Sequence, residues 1–417
     1  MSFERALEIG RPPNIKKLFP NSKALIVSGK VIDRALMKKG NAMTVAANGR
    51  NMSVIRGSLR AAQKANAALL VEIAKSESNY CMSNFWNLAR RVDQAMNELG
   101  ITIPVAIHAD HYGLKTWDEV GPAKIEIPTL FEAGITSIAI DASHMMDDDN
   151  LKANLELAPL VPGWAGYETE IGEIKGKDGM STAVEAEYLI QGLNAHNVIP
   201  DWIALNNGTT HGIEASSEGI QVALTAEIHQ AVAKYGTSGA QHGTSGNHND
   251  RLREICLETN TTKANVATAL QMVSWGVKVN EFGNAILDGD GNFDKVEGNG
   301  VTSELWAEMV AYADKNGIKG GNFKKLNLPF ENKMMSQPLE IRERIEQGVE
   351  DFLYNLLANV MNAADTAPLA YEAIIAAGSH DLGPKADCIG NPDDWTEEKY
   401  RARVVQRDRG PEGDFED

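Results

Sequence analysis

Short apolar runs alternate along the chain with longer segments in which apolar residues recur every three or four positions. The short runs, rich in β-branched residues, predict strands over residues 42–48, 68–74, 103–108, 135–141, 166–171, 201–205, 238–242 and 275–280. Stretches between them, such as SVIRGSLRAAQKANA, FWNLARRVDQAMNEL, TAVEAEYLIQGLNAH and GIQVALTAEIHQAVAKY, have the spacing of helices that bury one face. A helix after each strand returns the chain for another parallel strand. Eight such units in about 260 residues predict an α/β protein, a (β/α)8 TIM barrel. The competing doubly wound sheet usually carries G-x-G-x-x-G after its first strand, and that pattern is missing here.

From residue 287 onward the pattern changes. DGDGNFDKVEGNG reads as an exposed loop, and it lacks the Glu at its twelfth position that a calcium loop needs. PLEIRERIEQGVEDFLYNLLANVMNAAD predicts an amphipathic helix with a break near Gly348, and the charged tail TEEKYRARVVQRDRGPEGDFED predicts little core of its own. The expected organisation is an N-terminal segment (1–24), a barrel catalytic domain (25–286), and a C-terminal loop and helical extension (287–417) packed on the barrel or on a neighbouring subunit.

Polar residues stand where the predicted strands stop. IPVAIHADHYG delivers His108, Asp110 and His111 to the end of one apolar run. Asn48, Glu72, Asp141, Glu168, Glu170, His211, His242 and Asn280 lie at or near the ends of the others. In parallel α/β proteins that rim is where ligands sit. His111, His211 and His242 are the metal candidates, because three imidazoles from three strand ends can close on one cation and leave a position open, as in a catalytic zinc site. Glycine directly follows His211 and His242, so the backbone there can approach a ligand closely. The run HGTSG from His242 to Gly246 offers successive N–H groups and hydroxyls, which suits a phosphate. Asp110, beside a candidate ligand, is either an orienting group or a proton carrier. Of Glu168 and Glu170, only one is expected to face the barrel interior. The loop GEIKGKDGMS that follows them reads as a lid.

Composition narrows the partners. A formal charge of −17 over 417 residues argues against nucleic acid and anionic membranes, and it suits a divalent cation. No apolar run is long enough to span a bilayer and the first residues lack a secretory pattern, so a cytoplasmic location is expected. Cys81, Cys256 and Cys388 lie far apart without a Cys-x-x-Cys pair and read as reduced thiols.

In their order along residues 25–285, VAIHADH, GITSIAIDASH, ETEIG, GTTHG, QHGTSG and VKVN resemble the strand-end motifs of the class II, metal-dependent ketose-bisphosphate aldolases. Fructose-bisphosphate aldolase is the main member of that family. The resemblance implies reversible cleavage of a ketose bisphosphate, fructose 1,6-bisphosphate first, to dihydroxyacetone phosphate and an aldehyde through a zinc-stabilised enediolate. It implies Zn2+ held by His111, His211 and His242 with Glu170 close by, another divalent cation being the alternative, and a monovalent cation near the phosphate. Asp110 is then the acid and base, and Asn48, Asp141, Gly212, Gly243, Ser245, Gly246 and Asn280 make the substrate and phosphate site. The implied partner is a phosphorylated sugar, in a homodimer or homotetramer.

The chain also departs from the family. Where the flexible loop usually carries the glutamate that removes a proton, this chain reads Gly176-Lys177-Asp178-Gly179, and Glu173 or Asp178 is expected to stand in. Glu281, Phe282 and Gly283 follow Asn280 where the family commonly has Asp and Thr, and Ala74 occupies the usual serine position. Arg342 and Arg344 are the nearby cations on offer for a distal phosphate. These departures keep three alternatives open: an enzyme for another phosphorylated ketose, a metal-dependent barrel isomerase or epimerase, and a catalytically silent aldolase-like subunit.

Overall fold

The computed structural model describes residues 2–172, 179–208, 219–280 and 283–401. Its strands are β1 (Ile26–Val27), β2 (Thr44–Asn48), β3 (Leu69–Ala74), β4 (Val105–Gly113), β5 (Ser137–Asp141), β6 (Gly166–Ile171), β7 (Trp202–Leu205), β8 (Ser238–Gln241) and β9 (Thr261–Val266). All pair in parallel in the order β1-β4-β3-β2-β9-β8-β7-β6-β5, and a further pairing of β4 with β5 closes β2 through β9 into an eight-stranded TIM barrel. The two residues of β1 occupy the start of one β4 edge, and β5 takes over that edge from His108. Closure leaves no open edge along the barrel, and helices cover its outside.

The eighth barrel strand is not the one expected at residues 275–280. It is β9, whose sequence TTKANV carries no apolar run. Lys263 and Asn265, two positions apart and so on one face, turn inward to meet carboxylates of the barrel interior. With polar residues at four of its six positions, this strand gives no hydrophobic signal. Residues 268–275 form a helix (Thr268–Trp275) that ends at Gly276, whose φ of +76° only glycine adopts at little cost. Residues 277–295 then fold back on themselves through antiparallel bridges pairing Val277 with Lys295, Val279 with Ala285 and Leu287 with Phe293. The Asp288 carboxylate accepts the N–H groups of Asp290 and Asn292 at 2.9 Å, so this oxygen caps its own turn.

The extension lies against the barrel. The helix Leu339–Asn355 runs unbroken through Gly348, where a break was expected, and packs on the helix Met52–Ala65. Gly57 makes the approach possible, because a Cβ there would sit 2.6 Å from Val349 Cβ and 2.7 Å from the Glu346 carbonyl oxygen. Arg56 Nε meets Glu346 and Arg60 Nε meets Glu350, each at 2.7 Å, along the flank. At the opposite end of the barrel, Lys385 buries its ammonium 2.7 Å from Asp33 Oδ2 and 2.9 Å from Ser238 Oγ, near the starts of β7 and β8. Among the described residues no helix is long and apolar enough to cross a membrane.

Candidate active site

A bulge in β4 builds the centre of the site. His108 and Ala109 register with Ser137 and Ile138, but Tyr112 and Gly113 register with Ile140 and Asp141, so Asp110 and His111 together oppose one residue of β5. In a regular strand Asp110 and His111 point to opposite faces. The extra residue, with His111 at φ +40°, brings both side chains to the rim. Positive φ in a non-glycine residue carries strain of the kind that collects at functional sites.

Around His111 the acids converge. Its Nδ1 is 3.4 Å from both Asp141 Oδ2 and Glu170 Oε2, and its Nε2 is 3.9 Å from Asp110 Oδ2. The His242 ring lies with its centroid 4.4 Å from that of His111. Its Nε2 is 3.0 Å from Glu168 Oε1, and its Nδ1 is 3.8 Å from Glu170 Oε2. Contrary to expectation, Glu168 and Glu170 both face inward: residues two apart in a strand share a face, so no bulge is needed. Glu168 lies deeper and orients His242, while Glu170 reaches His111.

This donor set fits a divalent cation. Candidate ligand atoms of Asp110, His111 and His242 lie within 4.8 Å of one another, as do those of His111, Asp141 and Glu170. Three buried carboxylates around two imidazoles leave negative charge that a metal ion would balance. His211, Gly212, Glu173 and Asp178 lie outside the described residues.

Electrostatics separates the groups by role. Burial pushes the Asp110 carboxyl up, but His111, Lys263, His242 and His108 outweigh it and hold the group well below the usual carboxylate range. Burial pushes the Asp141 carboxyl up as well, but His111, His144 and the Ser143 side chain outweigh it and lower it. Glu168 is buried too, yet Lys263 and His242 bring it down to about 2. Glu72 goes the other way: burial, with Asp110 close by, raises its carboxyl well above the ordinary value.

His108 forms a third candidate group with Glu72 and Asp110, but both of its ring nitrogens already have partners. Its Nε2 lies 3.1 Å from the Lys263 ammonium, which can only donate, so Nε2 accepts and the proton sits on Nδ1, donating to Ser137 Oγ at 2.9 Å. Burial and Lys263 hold its pKa down at about 3, a neutral ring.

The remaining expected residues are distributed along the rim. Asn48 is buried at the end of β2, with no hydrogen bond to Oδ1. Gly243 (φ +60°) and Gly246 (φ +94°) shape the turn after β8, and Asn247 Nδ2 donates to the Gly243 carbonyl at 2.9 Å. Ser245 lies inside this turn. Asn280 arrives by a different route from the one expected, in a turn where its Oδ1 accepts from the Asn284 N–H at 3.0 Å, and Asn284 abuts Gly246. Ala74 ends β3 and registers with Asp110. Arg342 and Arg344 donate to the Gln337 and Gly300 carbonyls of the extension.

Two residues escaped the sequence reading. Asn265 Nδ2 donates to Asp110 Oδ1 at 3.0 Å, and Lys263 Nζ lies 3.5 Å from the same oxygen. Lys263-Ala264-Asn265 has the same Lys-x-Asn spacing as the VKVN segment, and it lies on a barrel strand.

Comparison with known proteins agrees with this geometry. The family model for class-II fructose-bisphosphate aldolase matches residues 30–316. A fructose-bisphosphate aldolase of Staphylococcus epidermidis is 27% identical over 233 residues, covering 54% of this chain and 75% of that protein. One from Streptococcus pyogenes is 27% identical over 250 residues, covering 59% and 80%. Among solved structures, the YdjI aldolase of Escherichia coli K12 superposes with a TM-score of 0.54 at 14% identity, over 82% of this chain and 99% of that one. The fructose-bisphosphate aldolase of Campylobacter jejuni gives 0.54 at 16% identity, over 82% and 96%. With a parallel barrel, a rim of acids and imidazoles and a family match over most of its length, the chain belongs to the class-II fructose-bisphosphate aldolase family.

Proposed function

We propose that the protein is a metal-dependent aldolase that reversibly cleaves a phosphorylated ketose, fructose 1,6-bisphosphate in the first instance, to dihydroxyacetone phosphate and an aldehyde. The observation that carries this reading is Asp110: an ionised, buried carboxylate held at Oδ1 by Asn265, beside a candidate metal ligand, at the rim of a barrel. His111 and His242, with Glu170 and the family's third imidazole His211, would hold Zn2+ or another divalent cation, which supplies an electrophile for the negative charge that develops as the carbon–carbon bond breaks.

The residues of the chain then divide the work. Asp110 Oδ2, the oxygen facing His111, takes the proton of the hydroxyl on the aldehyde side as that bond breaks, and returns it to the aldehyde oxygen in the reverse direction. Asp141 holds His111 in place through Nδ1. Glu168 holds His242 by Nε2 and leaves Nδ1 for the cation. The turn from Gly243 to Gly246 takes the phosphate of the triose half on its N–H groups. Proton exchange at the triose carbon is assigned to Glu173 or Asp178. Arg342 and Arg344 each spend one Nε–H on a carbonyl of the extension, and the second reading is an enzyme for another phosphorylated ketose.

One assay tests the assignment: cleavage of fructose 1,6-bisphosphate and a panel of monophosphorylated ketoses, following dihydroxyacetone phosphate release with and without EDTA. Turnover of at least one ketose, abolished by EDTA and restored by Zn2+, is expected. Asp110→Ala should keep about one metal ion per chain and lose about a thousandfold in kcat. No turnover with any ketose, or full turnover after metal removal, would overturn the assignment.

A further inference from the structure

The layer beneath the site holds a cation that the reaction as described leaves without a task. Lys263 is fully buried, with its Nζ 2.8 Å from Glu168 Oε2, 3.1 Å from His108 Nε2, and 3.5 Å from both Glu72 Oε2 and Asp110 Oδ1. An ammonium has three N–H donors. Glu168 and His108 take two at hydrogen-bond distance, and the third is left for Asp110 and Glu72. Asn265, two residues along β9 and on the same face, donates to the same Asp110 oxygen. Both inward side chains of one strand therefore converge on Oδ1, while Oδ2 stays turned toward His111.

A carboxylate on a single bond from the strand would otherwise rotate, since terminal carboxyl torsions are broad. Holding one oxygen from two sides decides which oxygen meets the substrate. A buried ammonium among three carboxyls is an expensive way to fill a core, because apolar side chains of the same volume serve stability as well or better. Its surroundings also exclude the ammonium as a nucleophile: the side chain has no solvent exposure, and its donors face the acceptors named above.

We propose that Lys263 is a positioning residue for the bond-breaking step, acting with Asn265 to fix Asp110 at Oδ1 so that Oδ2 is presented to the substrate hydroxyl. This role rests on the aldolase reading above. Glu168 and His108 hold Lys263 in place from the far side. Formation of the triose enediolate, which draws on the metal half of the site and the loop acids, does not depend on Asp110 and is left intact when Lys263 is removed.

The test uses the metal-loaded Lys263→Met enzyme and separates the two half-reactions. Ketose cleavage is followed through kcat and KM, and enediolate formation through exchange of the triose phosphate C–H proton with solvent. A fall of about a hundredfold in kcat is expected, the scale of loss from misplacing a reacting group. KM, metal content and exchange should each stay within about threefold of wild type. Exchange that falls as far as cleavage, or cleavage that does not fall, would overturn the role.

Removing the cation leaves Glu168 buried without its partner, so Lys263→Gln, whose amide can still donate to Glu168 but carries no charge for Asp110, provides a second variant. If Lys263→Met does not fold, the same split between cleavage and exchange is expected of Lys263→Gln, and wild-type cleavage by Lys263→Gln would overturn the role. A wild-type enzyme that neither cleaves nor exchanges rejects the aldolase reading itself and this role with it. Wild-type turnover with an undivided loss in the variants rejects only the role of Lys263.

Discussion

His229 illustrates at the residue scale how burial alone sets a property. Its ring packs on Gly239, where a Cβ would come within 2.1 Å of Cε1, and its Nδ1 accepts the Asn260 N–H at 3.2 Å. Burial lowers its pKa from 6.5 to about 4. The folded value lies below the unfolded one, so the unfolded chain binds the proton first as pH falls. His229 therefore stabilises the fold fully above pH 6.5 and loses that contribution as pH drops toward 4, by about 3 kcal/mol. His229→Gln should flatten the fall in unfolding free energy between pH 6.5 and 4, measured by denaturant titration at several pH values. An unchanged slope would mean that the ring is already open to water. Nothing in the helical spacing around His229 marks it as buried in this way.

At the scale of elements, spacing in the sequence located seven of the eight barrel strands and missed the last. Apolar runs reveal strands whose inner face is apolar. β9 places Lys263 and Asn265 inward, and the carboxyls of β3, β4 and β6 make that arrangement tolerable. The β4 bulge was equally hidden, because an extra residue changes which side a residue points to without changing the residues themselves. Gly348 misled in the opposite direction. It lies where the helix Leu339–Asn355 approaches Val273, at 3.4 Å from the Cγ1 of that residue to a Cβ built on the glycine, and the helix continues through it. Gly57 on the facing side has a sharper consequence. Gly57→Ala should gain about 1 kcal/mol in helix propensity but lose about 2 kcal/mol to the clash with Val349 and the Glu346 carbonyl. A net loss of about 1 kcal/mol is expected from denaturant unfolding, and a stabilised variant would mean that the two helices separate without cost.

Across the whole molecule, the two ends of the barrel are built for different purposes. The carboxyl ends of the strands carry Asp110, His111, Asp141, Glu170 and the turn after β8. At the amino ends the helix Gly29–Lys39 packs against the strand starts, and Lys385 of the extension meets Asp33 of that helix, Ser238 and the Asp201 carbonyl in a buried cluster. Lys385→Met should leave Asp33 buried with a weaker partner, Arg34 at 3.8 Å, and cost about 3 kcal/mol of stability. Any residual folded enzyme should keep its kcat, because the opposite face holds no part of the site. A fall in kcat without a fall in stability would show that the two ends are coupled.

By itself the sequence determined the class of fold, the rim where polar groups collect, and His111, His242 and Asp110 as residues of that rim. Those follow from local rules: period two for strands, a period near 3.6 for helices, and polar residues where apolar runs stop. Only the tertiary structure decided that Asp110 and His111 point the same way, that His108 is a neutral ring tied to Lys263, that Glu168 and Glu170 work at two depths, and that β9 closes the barrel. Each of these depends on a partner from a distant part of the chain, and burial far from water makes such a partner obligatory for a polar group.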